Sequence, residues 1–259
     1  MSNQPDRRMW ELKQRAEDAG TLELYIYGDV EGDSQNFWTG EVIRSETSAK
    51  ALRDALAEYP DVKEIAIYIN SYGGSVVEGT AIYNQLKRHS AHKTVYVDGF
   101  ACSIASVIAM AGDTVIMPRN TMMMIHNMSM GIYGNAAELR KAADDLDAIN
   151  EAGMAAYLQK AGEKLDAGKL KEMYDAETWL TAAQCIELGI ADEFAEKDAD
   201  MSKAADIVQK ANLALEQRIN VQKSLAAQLR QLTAAPATPP APPTQKKPEQ
   251  KNRIMSLFG

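Results

Sequence analysis

Four short stretches of this sequence carry residue types suited to acyl transfer. In DGFACSIASVIAMAG, residues 98–112, Ser103 follows a run of small side chains and precedes an apolar, helix-like segment. A serine at a helix mouth is a candidate nucleophile, because the dipole and free amides there lower the cost of negative charge. The same small residues would also let a buried helix pack closely on a sheet, and Ser106 and Cys102 compete locally for the role. Cys102 is the better intrinsic nucleophile, yet a cysteine among alanines is more often a buried small hydrophobe. His126 ends the apolar run MMMIH, where an imidazolium would be costly without a partner; it is a candidate general base or a core histidine bonded to backbone. His89 and His92 flank the polar KRHSAHK and read as solvent-exposed. In YINSYGGSV, residues 68–76, paired glycines leave amide N–H groups unobstructed at a helix entrance, where they can hold a phosphate or a developing oxyanion. No Gly-Lys-Ser/Thr follows, so this is no P-loop, and it is not GxGxxG. YDAETWLTAAQCIELGIADEF, residues 174–194, offers Asp175 and Glu177, either of which could orient His126, cap a helix or sit in water.

The elements needed to position these groups alternate along the chain. Strands are expected over 21–28, 63–70, 93–99, 114–118 and 121–126. Helices are expected over 48–60 (stopped by Pro60), 76–89, the segment after Ser103, and 135–162, with two shorter ones beyond. Strands alternating with helices predict an α/β fold with mostly parallel strands. The Gly-Gly turn, Ser103 and His126 each fall at the same end of successive strand-to-helix units, the edge where parallel sheets place their sites.

Bulk properties exclude several classes. With 259 residues the chain can bury a full core. Its net charge of −8 gives no global basic field for nucleic acid or an anionic membrane. Cys102 and Cys185 are the only thiols, too few for a disulfide framework or a zinc site and in keeping with a reducing compartment. The opening MSNQPDRRMWELKQRAEDAG lacks an apolar core of signal-peptide length, and no apolar run reaches membrane-spanning length, so a cytoplasmic setting is expected.

Composition divides the chain into an N-terminal segment (1–20), a compact domain (21–197), a helical extension (198–233) and a tail (234–259). Six of the nine prolines lie between Pro236 and Pro248, a stretch expected to be extended and unable to build a core. The preceding polar segment, with Ile, Val, Leu and Ala near helical spacing, reads as a linker or a partner-binding helix.

YINSYGGSV, DGFACSIASVIAMAG, MMMIHN and ETWLTAAQCIELGIAD, in this order and spacing, resemble the Clp protease proteolytic subunit (ClpP) family over roughly Leu22 to Phe194. These are serine peptidases of the ClpP/crotonase-like fold, built from repeated β-β-α units. The chain looks most like the ClpP-like head maturation (prohead) proteases of tailed phages. The resemblance puts the nucleophile on Ser103, the general base on His126 and the oxyanion-hole amides on Gly74 and Ile104. The family's third member is an aspartate, and its position falls on Glu177, with Asp175 the alternative. Tyr72 stands where the family's S-P-G-G has proline. GIYGNAAELRKAADDL corresponds to the handle region, a strand and long helix that extend the substrate groove.

The resemblance further implies no metal or other cofactor, a homo-oligomeric ring (heptamer or double ring), and protein substrates, capsid or scaffold proteins in a phage setting. A host-type subunit would instead work with an ATPase unfoldase. Neither nucleic acid nor membrane is an expected partner. The competing readings are a crotonase-fold acyl-CoA enzyme, which needs the two-amide oxyanion hole but no Ser103–His126 pair, and a catalytically inactive ring-forming scaffold component.

Overall fold

Runs of branched apolar residues alternating with tyrosines build the centre of the molecule. Ile65, Ile67 and Ile69 are fully buried, as are Val95 and Val97, while Tyr68 and Tyr96 between them are half-buried on the opposite face. A computed structural model describes residues 10–15, 18–36 and 38–196. They all fall in one compact unit, Met1–Ala211. The helical extension and proline-rich tail expected from the sequence lie outside the described residues.

The strands are β1 (Trp10–Arg15), β2 (Asp18–Val30), β5 (Glu64–Gly74), β6 (His92–Cys102), β7 (Thr114–Met117), β8 (Met122–Ile125), β9 (Thr178–Thr181) and β10 (Glu193–Phe194), with β3 (Ser34–Gln35) and β4 (Val42–Ile43) forming a separate hairpin. The main sheet runs β1-β2-β5-β6-β7-β10, and β8 pairs with β6 and β9. β2, β5, β6, β7 and β10 are mutually parallel, β8 runs parallel to β6, and β1 and β9 are antiparallel to their neighbours. This is the mixed α/β, mostly parallel architecture expected of a ClpP-like fold. β1 and the start of β2 recruit part of the expected N-terminal segment into the sheet.

The helices are α1 (Ala49–Leu56), α2 (Val76–Arg88), α3 (Ile104–Ala109), α4 (Ala136–Ala161), α5 (Ala167–Asp175) and α6 (Ala182–Glu187). Side-chain caps set their starts: Ser48 accepts from Ala51 N–H, Ser75 from Glu78 N–H, and Asn135 and Glu138 close a reciprocal capping box on α4. Ile82, Leu86, Ile104 and Ile108 carry α2 and α3 into the core. The other sheet face bears a tyrosine ladder, Tyr25–Tyr68–Tyr96, with ring centroids 4.7 and 5.1 Å apart. No helix among the described residues is long and apolar enough to cross a membrane.

Three boundaries differ from the sequence-based expectation. The strand expected to end at Gly99 continues to Cys102, because Phe100, Ala101 and Cys102 pair with Met122, Met123 and Met124 of β8. The helix expected to reach Pro60 ends at Leu56, with the carbonyls of Arg53, Ala55 and Leu56 accepting from the N–H groups of Ala57, Glu58 and Tyr59 in a closing turn. The segment before α4, expected to include a handle strand, forms no strand over residues 127–135, since no described strand runs beside it to form a ladder.

Candidate active site

The extension of β6 to Cys102 puts Ser103 directly at the strand's end, with α3 starting at the next residue. The chain turns from strand to helix within that single residue. Ser103 has φ 54° and ψ −131°, a positive-φ conformation that costs a non-glycine residue about 1–3 kcal/mol. Two hydrogen bonds hold it there: its N–H donates to the Met124 carbonyl (2.9 Å), and its carbonyl accepts from Ser106 N–H (3.0 Å).

The bond to Met124 also sets the position of the histidine. β8 runs alongside β6, so His126, two residues past Met124, emerges beside Ser103, and its Nε2 lies 2.8 Å from Ser103 Oγ. Both residues are half-buried. Parallel register thus unites two residues 23 positions apart in sequence.

The Gly-Gly turn reaches the same point from β5. Ser71, almost fully buried, donates from its hydroxyl to the Gly28 carbonyl (2.5 Å) and accepts from Gly73 N–H (3.1 Å), which pins the turn. Gly73 has φ 106° and Gly74 φ 142°, values that favour glycine. Ser75 N–H donates to the Val30 carbonyl (2.7 Å), and Gly74 pairs with Val30. In a parallel ladder this arrangement turns the Gly74 amide away from β2. Ile104 occupies the first position of α3, where a backbone N–H has no partner within its own helix.

The two carboxylates sit differently. Asp175 ends α5, is exposed, and accepts from Asn127 Nδ2 (2.9 Å) while pairing with Lys171 Nζ (2.9 Å). Asn127 first, then Lys171, hold its carboxyl below the usual range. Glu177 is the other non-glycine residue with positive φ (48°) among those described. Ile125 pairs with Thr178, so the antiparallel register continued by one residue sets Glu177 opposite His126. Neither carboxylate is hydrogen-bonded to His126 in this structure.

The local competitors of Ser103 are buried. Cys102 is fully inaccessible, and burial pushes its thiol up to about 12. Ser106 is equally buried, its hydroxyl 2.6 Å from the Ser103 carbonyl oxygen. His92 is exposed as expected, whereas His89 is half-buried and accepts from Ala91 N–H through Nδ1. Among the described residues no group of three or more His, Cys, Asp or Glu converges as a metal site would. Sequence reasoning missed Asn127, whose place beside His126 was a usable signal, and Tyr157, which nothing in the sequence links to Ser106.

The model of the Clp protease family matches residues 33–198, well over half of the chain, a stretch that includes Gly74, Ser103, Ile104, His126, Asp175 and Glu177. The chain belongs to the Clp protease family. It is 30% identical over 139 residues to an ATP-dependent Clp protease proteolytic subunit of Porphyromonas gingivalis, covering 52% of this chain and 61% of that protein. To proteolytic subunit 3 of Streptomyces coelicolor it is 30% identical over 145 residues, covering 55% and 65%. To proteolytic subunit 1 of Protochlamydia amoebophila it is 27% identical, covering 62% and 80%. The chain thus spans under two thirds of the first two relatives' length.

This Clp protease family member carries an aromatic row at the site's edge. Tyr72, next to the Gly-Gly turn, stacks on Phe100 (5.6 Å), which meets Trp179 edge-on (6.1 Å). The three rings tie together the strands that carry the turn, the serine and the segment facing the histidine.

Proposed function

We propose that this chain is a serine endopeptidase. The observation that carries the reading is the 2.8 Å approach of His126 Nε2 to Ser103 Oγ on a strained strand-to-helix turn. In the proposed reaction Ser103 Oγ attacks a peptide carbonyl carbon as His126 Nε2 takes its proton. The oxyanion is received by the amides of Gly74 and Ile104. His126 returns the proton to the leaving amine, then activates water to release the acyl group. Glu177 stabilises the imidazolium, a role its register position supports, with Asp175 the alternative.

The proposed working form is a homo-oligomeric ring. Met130, Ile132, Tyr133 and Leu139, all exposed around the start of α4, support the presence of a partner copy there. For the substrate we propose capsid or scaffold proteins during phage head maturation, in the host cytoplasm or procapsid, a reading supported by the overall resemblance and the proline-rich tail. The relatives' names give equal support to a subunit that works with an ATPase unfoldase. Hydrolysis of a folded protein only with such an unfoldase and ATP would select that second setting.

The test of the activity is labelling with a fluorophosphonate probe, mapped by peptide mass. Modification of Ser103 that is absent in Ser103→Ala and His126→Ala is expected. A folded, assembled wild type that neither labels nor hydrolyses peptides would overturn the peptidase in favour of an inactive scaffold component. Thioester hydrolysis without peptide hydrolysis would point to an acyl-CoA enzyme.

A further inference from the structure

The strained turn at Ser103 is braced from behind by a chain of buried hydroxyls. Ser106 Oγ lies 2.6 Å from the Ser103 carbonyl oxygen, 3.3 Å from that of Met124 and 2.6 Å from the Tyr157 hydroxyl. A carbonyl only accepts, and a serine hydroxyl has one proton to give. With that proton committed to the Ser103 carbonyl, Tyr157 must donate to Ser106. Tyr157 is 1% exposed and comes from the C-terminal half of α4, distant in sequence from the site. Its ring meets that of Tyr174 on α5 edge-on, with centroids 5.9 Å apart.

The order of donors, Tyr157 to Ser106 to the Ser103 carbonyl, polarises each link toward the nucleophile's own backbone. The two carbonyls that Ser106 faces are the ones that fix the turn. One belongs to Ser103, and the other, Met124, accepts the Ser103 N–H. Burial holds the Tyr157 phenol well above its ordinary value, so it stays a donor throughout the working range.

We infer that Tyr157, acting through Ser106, is a positioning residue that fixes the backbone of Ser103 and so the aim of its Oγ at His126. The inference rests on the peptidase reading above. It assigns to α4 a part in setting the nucleophile, separate from any part in binding substrate. The two hydroxyls touch each other and, through Ser106, backbone rather than substrate, so their loss slows the chemical step and leaves substrate affinity alone.

Tyr157→Phe keeps the ring and removes only the donor. With a fluorogenic peptide, it is expected to lower kcat about five- to tenfold, with KM within about twofold of wild type. The rate of fluorophosphonate labelling falls by the same factor. Ser106→Ala lowers kcat at least as far, and adding Tyr157→Phe to it costs little more, because the two act in series. Size-exclusion chromatography confirms equal assembly for all variants. Wild-type kcat in Tyr157→Phe, a change confined to KM, or additive losses in the double variant would overturn the inference. An inert wild type would instead overturn the peptidase reading on which it rests.

Discussion

The backbone of Gly73 lies directly against the side chain of Ser103. A methyl group built on Gly73 would stand 2.6 Å from Ser103 Cβ, 3.2 Å from its Oγ and 2.9 Å from the Cys102 carbonyl oxygen. Two separate constraints therefore demand glycine here: the φ of 106° and the missing space. Gly73→Ala is expected to cost about 1–3 kcal/mol of stability, as backbone strain alone would. It should also slow labelling of Ser103 by 100-fold or more, because a displaced Oγ loses its alignment with His126. Chemical denaturation and the labelling rate measure the two effects. A variant of normal reactivity would show that the turn can retreat from the serine.

That Ser103, His126 and the Gly-Gly turn come together was legible in the sequence because each lies at the end of a strongly patterned strand, and parallel strands carry such ends to one edge. The end of β6 was not legible. Gly99 reads as a terminator, yet pairing with β8 carries the strand on to Cys102, and a partner strand leaves no local signature. Expecting a helix from 48 to Pro60 failed for a related reason, since the last turn is set by backbone capping at Ala57. The place of Tyr157 was hidden altogether. Helical periodicity marks it as core, but only the packing of α4 on α3 decides which buried hydroxyl it meets. Glu177 is an intermediate case: its register opposite His126 follows once β9 is known to pair with β8.

Both thiols are buried, and desolvation by burial pushes Cys102 and Cys185 each up to about 12. A thiol so shielded presents almost no thiolate at pH 8 and no access path. Native protein is expected to resist iodoacetamide at both positions, whereas denatured protein is alkylated at both; intact mass distinguishes the states. Rapid native alkylation of Cys102 would return it to contention as a nucleophile.

Asp98 lies on the tyrosine face of the sheet and accepts a hydrogen bond of 2.5 Å from the Tyr27 hydroxyl. Burial raises its carboxyl above the usual range, and the bond from Tyr27 offsets this only in part. The sign follows from linkage. Below about pH 3.9 the group is neutral in both the folded and unfolded chain, so it carries no penalty. As pH rises toward the raised folded value, the unfolded chain ionises more readily and stability falls. Asp98→Asn retains an acceptor for Tyr27 and removes the buried charge. Its Tm is expected to exceed that of wild type at pH 7, with the gap closing by pH 3. Thermal melts across that range check the prediction, and a gap independent of pH would assign the effect to packing.

The proposed assignment of Glu177 rather than Asp175 as the third triad member rests on what each carboxylate would have to give up. Asp175 would have to leave Lys171 and Asn127 to reach His126. Glu177 has no side-chain hydrogen bond to lose among the described residues, and register sets it opposite the histidine. Its extra methylene supplies reach that an aspartate would lack, and its φ of 48° marks a backbone bent at this point. Glu177→Gln keeps the shape but removes the charge that stabilises an imidazolium, so kcat is expected to fall by about 10²–10⁴-fold. Asp175→Asn breaks only an exposed ion pair, so its effect on kcat should stay within about threefold. Steady-state hydrolysis of a fluorogenic peptide, with Ser103 labelling as a second readout, separates the two. A large loss in Asp175→Asn with Glu177→Gln near wild type would exchange the assignments, and would mean that the end of α5 rearranges when substrate binds.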